Sequence, residues 1–153
     1  MLIIAIDPGI AGALAFLPDG APAVVHDMPV VAGRVDAHAL HALVRLDTKD
    51  IPAHCFLEQS QSMPSQGVTS TFHYGISYGI LLGILAALEI PYTEVRPGKW
   101  KRALGLGKEK EDARLRAMQL FPHCDLHLKK YHGRAEALLL GWYGLRQLPG
   151  LPA

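Results

Sequence analysis

The stretch Leu2-Ile3-Ile4-Ala5-Ile6-Asp7-Pro8-Gly9 begins with five apolar residues, three of them isoleucine, that run directly into an acid. An unbroken apolar run rich in β-branched residues predicts a strand buried on both faces of a sheet. Pro8 lacks the N–H that a sheet ladder needs and Gly9 tolerates positive φ, so the strand is expected to end just after Asp7. A carboxylate in that position is costly unless a cation, a metal ion or a helix N-terminus compensates its charge. The alternative is a turn aspartate that caps its own backbone.

Length and composition predict one soluble domain that covers residues 1–153. Half of the 153 residues are hydrophobic and 19% are charged, which is ordinary for a globular protein. Cys55 and Cys124 stand apart, so the sequence predicts neither a disulfide framework nor a cysteine zinc site, as expected in a reducing compartment. We expect no signal peptide. We also expect no membrane span, since the longest apolar stretch, Ile76 to Ile90, is short and contains Glu89.

The charges are distributed unevenly along the chain. Residues 1–95 contain nine acidic and three basic residues, whereas residues 96–134 contain four acidic and eleven basic ones. A basic segment within a nearly neutral protein indicates a polyanionic partner. The alternative is a solvated helix face, because residues 108–116 mix both signs of charge.

Hydrophobic periodicity and turn residues predict an alternation of strands and helices. Three short strands at the start (2–7, 12–17 and 23–26) predict an antiparallel meander, and further strands are predicted at 52–58 and 92–95. Helices are predicted at 37–46 with Asp36 as the cap, at 69–88, from Pro97, at 108–120 and at 133–145.

Gly75, Gly79 and Gly83 recur at four-residue spacing within the predicted helix 69–88, so they line one face of it. Glycine within a helix costs about 1 kcal/mol relative to alanine, so this face is expected to permit close backbone packing. Two explanations remain open: packing on the sheet of the same chain, and packing on a partner helix across a dimer interface.

Three acids occur in apolar surroundings: Asp7 and Glu58 end predicted strands, and Glu136 lies in the first turn of the last helix. Together these carboxylates would repel one another unless cations lay between them. Carboxylates suit Mg²⁺ or Mn²⁺, and two such ions about 4 Å apart stabilise both the attacking and the leaving oxygen in phosphodiester hydrolysis. The basic segment would then hold the phosphate backbone.

Three motifs, in order, resemble those of the RuvC-type Holliday-junction resolvases, most closely the phage and bacterial RuvC-like branch. They are Ile4-Ala5-Ile6-Asp7-Pro8-Gly9, Leu57-Glu58-Gln59 and His132-Gly133-Arg134-Ala135-Glu136-Ala137-Leu138. The resemblance implies an α/β, RNase H-like fold with a five-stranded mixed sheet flanked by helices. It also implies a homodimer that nicks a four-way DNA junction symmetrically with two Mg²⁺ ions per site, or Mn²⁺ as substitute. A two-fold dimer suits a two-fold substrate. The expected location is the cytoplasm of a bacterial or phage-infected cell.

The resemblance implies a role for each matching residue. Asp7, Glu58 and Glu136 match the family's metal-binding acids, Glu136 replacing a common aspartate. The family often has a further Asp or His ligand three residues before that last acid; here that position is Gly133, and His132, one residue earlier, is the expected substitute. Lys101 and Lys110 resemble DNA-contacting residues. The full set of expected DNA contacts is Lys99, Lys101, Arg102, Lys108, Lys110, Lys129, Lys130 and Arg134, with Gln61 and Met63 in place of an aromatic wedge.

Other functions compete with this interpretation. One is an RNase H-like nuclease with broader specificity for branched or flap DNA. A sugar-kinase or chaperone-type ATPase also uses Asp-x-Gly, but its fold needs a second lobe for which 153 residues leave no room. A junction-binding protein without catalysis is a third possibility. The three acids argue against it, because binding a polyanion gains nothing from a negative cluster.

Overall fold

The fold is taken from a computed structural model that describes residues 1–49, 51–59 and 67–148. The strands are β1 (Leu2–Asp7), β2 (Ala13–Pro18), β3 (Val24–Asp27), β4 (Val30–Val31), β5 (Arg34–Val35), β6 (Ala53–Glu58) and β7 (Tyr92–Val95). The helices are α1 (Ala37–Asp47), α2 (Val68–Ala87), α3 (Pro97–Ala103), α4 (Lys110–Leu120) and α5 (His132–Leu145), with a 3₁₀ turn at Lys129–Tyr131.

A five-stranded mixed sheet with the order β3-β2-β1-β6-β7 forms the centre of the fold. Strand β2 runs antiparallel to both β1 and β3, whereas β6 runs parallel to both β1 and β7. The predicted meander and mixed sheet are therefore confirmed. The two-residue strands β4 and β5 form a separate hairpin that was not predicted, because strands of that length have no periodicity to detect.

Strand β1 is buried on both faces, as its apolar run predicts. Ile3 and Ala5 face a core built largely with α5, and Leu2, Ile4 and Ile6 face a second core built with α1 and α2. All five residues are at most 2% exposed. Since the strand is anchored on both sides, the position of Asp7 at its end is fixed.

Close backbone contact brings α5 up to the turn that follows β1. A Cβ atom on Gly133 would lie 2.4 Å from the carbonyl oxygen of Ala11, and one on Gly12 would lie 1.9 Å from that of Asp7. Neither position has room for a side chain. Gly133 therefore serves helix packing, and no side chain could act as a metal ligand at that position.

The glycine face of α2 points away from the sheet. Ser77, Leu81 and Leu85 are the buried residues of this helix, and a Cβ atom on Gly75, Gly79 or Gly83 would meet nothing within 4 Å. Packing on the sheet of the same chain therefore does not explain these glycines. The helix has the predicted length and begins one residue earlier, at Val68 rather than at Thr69. Its 20 residues meet the length and composition of a membrane span, and three of them are buried.

The other predicted helices are confirmed within two residues at each end. Asp36 caps α1, because its Oδ1 accepts hydrogen bonds from the backbone N–H groups of His38 and Ala39 at 3.0 and 3.1 Å. Helix α4 begins at Lys110 rather than at Lys108, and α5 begins at His132 rather than at Gly133.

Candidate active site

Asp7 and Glu58 meet at one edge of the sheet because their strands are parallel neighbours. The register pairs Ile6 with Leu57, so the two acids follow the last paired residues of β1 and β6. Helix α5 crosses the same region and adds Glu136 from its second turn rather than from the predicted first, because the helix begins at His132. Each of the three side chains offers a carboxylate oxygen, and these oxygens all lie within 4.8 Å of one another. The structure thus brings together the three predicted acids.

The electrostatics of this acid cluster (Asp7, Glu58 and Glu136) favour a bound cation. The pKa of Asp7 is raised well above its usual value by burial first, and then by the charges of Glu136 and Glu58. Burial also raises the pKa of Glu58, while a hydrogen bond from Trp100 opposes the shift. Three partly buried carboxylates at this spacing form an oxygen-only donor set, which suits Mg²⁺ or Mn²⁺.

Two consecutive residues of α3 contact the cluster. The indole Nε1–H of Trp100 donates to Oε2 of Glu58 at 2.8 Å, and Nζ of Lys101 donates to Oε1 of Glu136 at 2.6 Å. Trp100 is fully buried, so its N–H needs such an acceptor. Sequence reasoning missed Trp100. The available signal was a tryptophan directly before the lysine already expected at the site.

His132 begins α5, one turn before Glu136, but it does not join the acid cluster among the described residues. Its Nδ1 is buried and has no hydrogen-bond partner. The pKa of Glu111 is lowered chiefly by a hydrogen bond from Arg114, and to a smaller extent by the nearby charges of Lys129 and His132. His132 therefore lies beside α4 with an unused ring nitrogen, and a role as metal ligand stays a prediction.

Several of the predicted basic residues surround α3. One open depression of about 810 Å³ is lined by residues that include Arg96, Lys99 and Arg102, and another of about 510 Å³ by residues that include Lys101 and Lys108. We call Arg96, Lys99, Arg102 and Lys108 the basic surface; all four are exposed. Arg96 was not among the predicted DNA contacts, although it directly precedes Pro97. This surface adjoins the acid cluster through Lys101.

Lys110, Lys129 and Lys130 lie on other elements. Lys110 is the first residue of α4, and its charge lowers the pKa of Asp7 against the larger effects of burial and of the two other acids. Lys129 and Lys130 are exposed on the 3₁₀ turn before α5, where Nζ of Lys130 lies 5.4 Å from the ring centre of Tyr131. Of these three residues, Lys110 acts on the pKa of an acid in the cluster, that of Asp7.

Arg134 faces a different set of partners from the one predicted. Its Nε and Nη2 donate to the two carboxylate oxygens of Asp27 at 2.6 and 2.8 Å, and its guanidinium lies 3.7 Å from the ring centre of Tyr131. The side chain is 18% exposed. Because these donors are used within the chain, Arg134 ties α5 to β3, and its expected contact with DNA stays a prediction. Gln61 and Met63 lie outside the described residues.

Comparison of the sequence with protein-family models and with curated proteins gives no match. Solved structures do match. RuvC of T. thermophilus in complex with a Holliday junction substrate has a TM-score of 0.67 at 17% identity, over 96% of both chains. A second structure of Thermus thermophilus RuvC has a TM-score of 0.65 at the same identity and coverage. The chain therefore has the fold of RuvC, and the expected RNase H-like fold is confirmed.

Proposed function

We propose that this chain is a metal-dependent endodeoxyribonuclease that resolves four-way DNA junctions. The observation that carries the proposal is the acid cluster, whose carboxylate oxygens lie within 4.8 Å of one another at the edge of the basic surface. Binding DNA alone gives no reason to gather three acids where a phosphate backbone would pass. A site that holds divalent cations next to that backbone does need such a group of acids.

The carboxylate donor set suits divalent cations, and two Mg²⁺ or Mn²⁺ ions are part of the proposal. Asp7, Glu58 and Glu136 would hold them through carboxylate oxygens. His132 precedes Glu136 by four residues, and its buried Nδ1 has no hydrogen-bond partner. When bound, such ions activate water and stabilise the charge that develops on the attacking and leaving oxygens of a phosphodiester. The protein residues fix the geometry, since β1, β6 and α5 each hold one acid from a packed element.

The basic surface would hold the phosphate backbone of the DNA. Lys99, Arg102 and Lys108 extend from or follow α3, the helix whose Lys101 reaches Glu136. A strand bound along these residues would pass beside the acids. Likeness in fold to a RuvC that is known in complex with a Holliday junction substrate supports four-way DNA as the substrate class.

A homodimer is part of the proposal, with the glycine face of α2 as the contact. Gly75, Gly79 and Gly83 leave open space along this face, and Phe72 on the same helix is 64% exposed. Small residues let two helices approach closely, and a two-fold pair of sites would suit symmetric nicking. A membrane span is the less favoured use of α2, because Leu81 and Leu85 form part of the core beneath the sheet.

A cleavage assay on defined substrates tests the proposed function. Wild-type protein is incubated with a four-way junction, a flap and a duplex of matched sequence, with Mg²⁺ or with EDTA. We expect paired nicks in opposite strands of the junction, only with Mg²⁺. Equal cleavage of the flap would favour the broader branched-DNA nuclease, and tight junction binding without cleavage in Mg²⁺ or Mn²⁺ would favour a non-catalytic binding protein.

A further inference from the structure

The ammonium group of Lys101 is the cation nearest to the acid cluster in the described part of the chain. Nζ lies 2.6 Å from Oε1 of Glu136, and the side chains of Lys101 and Glu136 are only 24% and 12% exposed. The same positive charge acts on the pKa values of Asp7 and Glu58, lowering each against the larger effect of burial. One lysine thus partly neutralises three carboxylates.

The position of this ammonium is fixed by α3. Trp100 is anchored by burial and by its hydrogen bond to Glu58, and Lys101 is the next residue on the helix. Exposed lysine–glutamate pairs contribute about 0–1 kcal/mol and exchange readily with water. The pair of Lys101 and Glu136 is shielded and lies beside two further carboxylates. Separating its charges costs more, because it leaves three uncompensated acids.

A divalent ion bound between the acids would need a carboxylate oxygen of Glu136, and Nζ of Lys101 already lies 2.6 Å from one of them, Oε1. Mg²⁺ sits about 2.1 Å from its ligand oxygens, so an ammonium group and the ion cannot both lie against one carboxylate oxygen in the interior of the cluster without strong repulsion. The two cations are therefore alternatives at Glu136.

We propose that Lys101 is the resident counter-cation of the acid cluster, and that a divalent ion binds by displacing its ammonium group from Glu136. This inference rests on the proposed function, since it assigns the regulation of the same metal site. It makes Lys101 a positioning residue in the metal-free protein. After displacement its ammonium group, still on α3, is free to meet a phosphate on the adjacent basic surface. Binding of the metal ion then also releases the Lys101 ammonium group to contact DNA.

Metal binding without DNA tests this exchange. Lys101→Met keeps the length of the side chain and removes the charge, and Lys49→Met makes the same change at an exposed position after α1. We expect Mn²⁺, titrated by calorimetry or by electron paramagnetic resonance, to bind Lys101→Met several-fold more tightly than wild type. The metal-free Lys101→Met protein should also melt at a lower temperature. Lys49→Met should match wild type in both measurements.

A double-mutant cycle distinguishes displacement from a general charge effect. If the ammonium competes at Glu136, the gain from Lys101→Met should largely disappear in a Glu136→Gln background. A gain of equal size in that background would overturn the inference. Mn²⁺ affinity in Lys101→Met equal to or weaker than that of wild type would overturn it as well.

Wild-type protein provides a second measurement that does not depend on folding of a variant. The nitrogen resonance of the Lys101 ammonium, assigned from its loss in Lys101→Arg, should shift when Mg²⁺ is added. An unchanged resonance at saturating Mg²⁺ would contradict displacement. If junctions are cleaved with Mg²⁺ while this resonance stays unchanged, only the inference fails. If wild type neither binds Mn²⁺ nor cleaves, the proposed function fails with it.

Discussion

Nε1 of Trp100 donates a hydrogen bond to Oε2 of Glu58 at 2.8 Å, across 42 residues of sequence. The indole is fully buried, whereas the carboxylate of Glu58 is part of the acid cluster. The bond therefore fixes one oxygen of the carboxylate and leaves the other to face a cation. It also opposes the rise in the pKa of Glu58 that burial causes.

Trp100→Phe should reduce cleavage at least tenfold and move its pH dependence. Without the indole N–H, the pKa of Glu58 rises further above its usual range, so the acidic limb of the pH–rate profile should shift to higher pH. Single-turnover cleavage across pH measures both effects. Trp142→Phe is the matched control, since it removes an indole from α5 away from the acids. A profile for Trp100→Phe that coincides with that of Trp142→Phe would show that Trp100 only fills space.

Asp7→Asn should stabilise the metal-free protein near neutral pH. The folded-state pKa of Asp7 is raised, so between the unfolded and folded pKa values the folded state binds more protons. Stability is therefore lost as pH rises through that window, and the loss persists above it. Asparagine removes this loss, and about 1 kcal/mol corresponds to roughly 2–4 °C in melting temperature for a chain of this size.

Thermal unfolding in EDTA between pH 4 and pH 8 measures this effect. The wild-type melting temperature should fall relative to that of Asp7→Asn as pH rises, and Mg²⁺ should restore the wild type more than the variant. An Asp7→Asn protein that melts below wild type at pH 8 would contradict the raised pKa.

The basic surface should account for part of the salt dependence of junction binding. Lys99→Ala combined with Arg102→Ala should weaken binding and lower the slope of log K against log salt by about 2, since each phosphate contact contributes roughly 0.9. Lys49→Ala changes the charge on the exposed turn after α1 and should leave the slope unchanged. Equal slopes for all three proteins would mean that DNA binds elsewhere.

His132→Ala distinguishes two roles for the buried, unpartnered Nδ1 of this residue. If the imidazole binds a metal ion or takes a proton from water, single-turnover cleavage should fall by orders of magnitude and lose a group that titrates near neutrality. The structure shows no side-chain cap on α5, so the other role is a phosphate contact, for which binding weakens while cleavage at saturating enzyme stays close to wild type. The second result would remove His132 from the site.

Gly79→Arg should separate the subunits without unfolding them. A side chain at this position meets nothing within 4 Å in the single chain, and arginine favours a helix over glycine. Sedimentation should therefore give a stable monomer for this variant and a dimer for wild type. Ala42→Arg, on an exposed part of α1, should remain dimeric. A wild-type monomer, or a Gly79→Arg dimer, would exclude this face as the contact, and partition into vesicles would indicate a membrane role for α2.

The central strands and the three acids were predictable because their signals are local. An unbroken apolar run that ends on Asp7 or Glu58 specifies a buried strand and the edge at which it stops. The contacts of α3 were not predictable, since Trp100 and Lys101 meet acids 42 and 35 residues away. The ion pair of Arg134 was not predictable for the same reason, because its partner Asp27 lies 107 residues away.

The sequence could not show, for a different reason, whether the glycine face of α2 packs on the sheet or points away from it. Helix α2 is apolar on most sides, so its composition does not reveal which side is buried against the sheet. The structure decides this by burying Leu81 and Leu85 and leaving Gly79 exposed.

The most direct test of the account compares junction cleavage and junction binding in three single variants: Asp7→Asn, Glu58→Gln and Glu136→Gln. Each removes one charge from the acid cluster and keeps the side-chain shape. With Mg²⁺ and enzyme in excess, we predict that wild type nicks the four-way junction and that each variant loses at least a thousandfold in rate while binding it as tightly or more tightly. Cleavage by any of the three at close to the wild-type rate would contradict the claim that these carboxylates hold the catalytic metal ions.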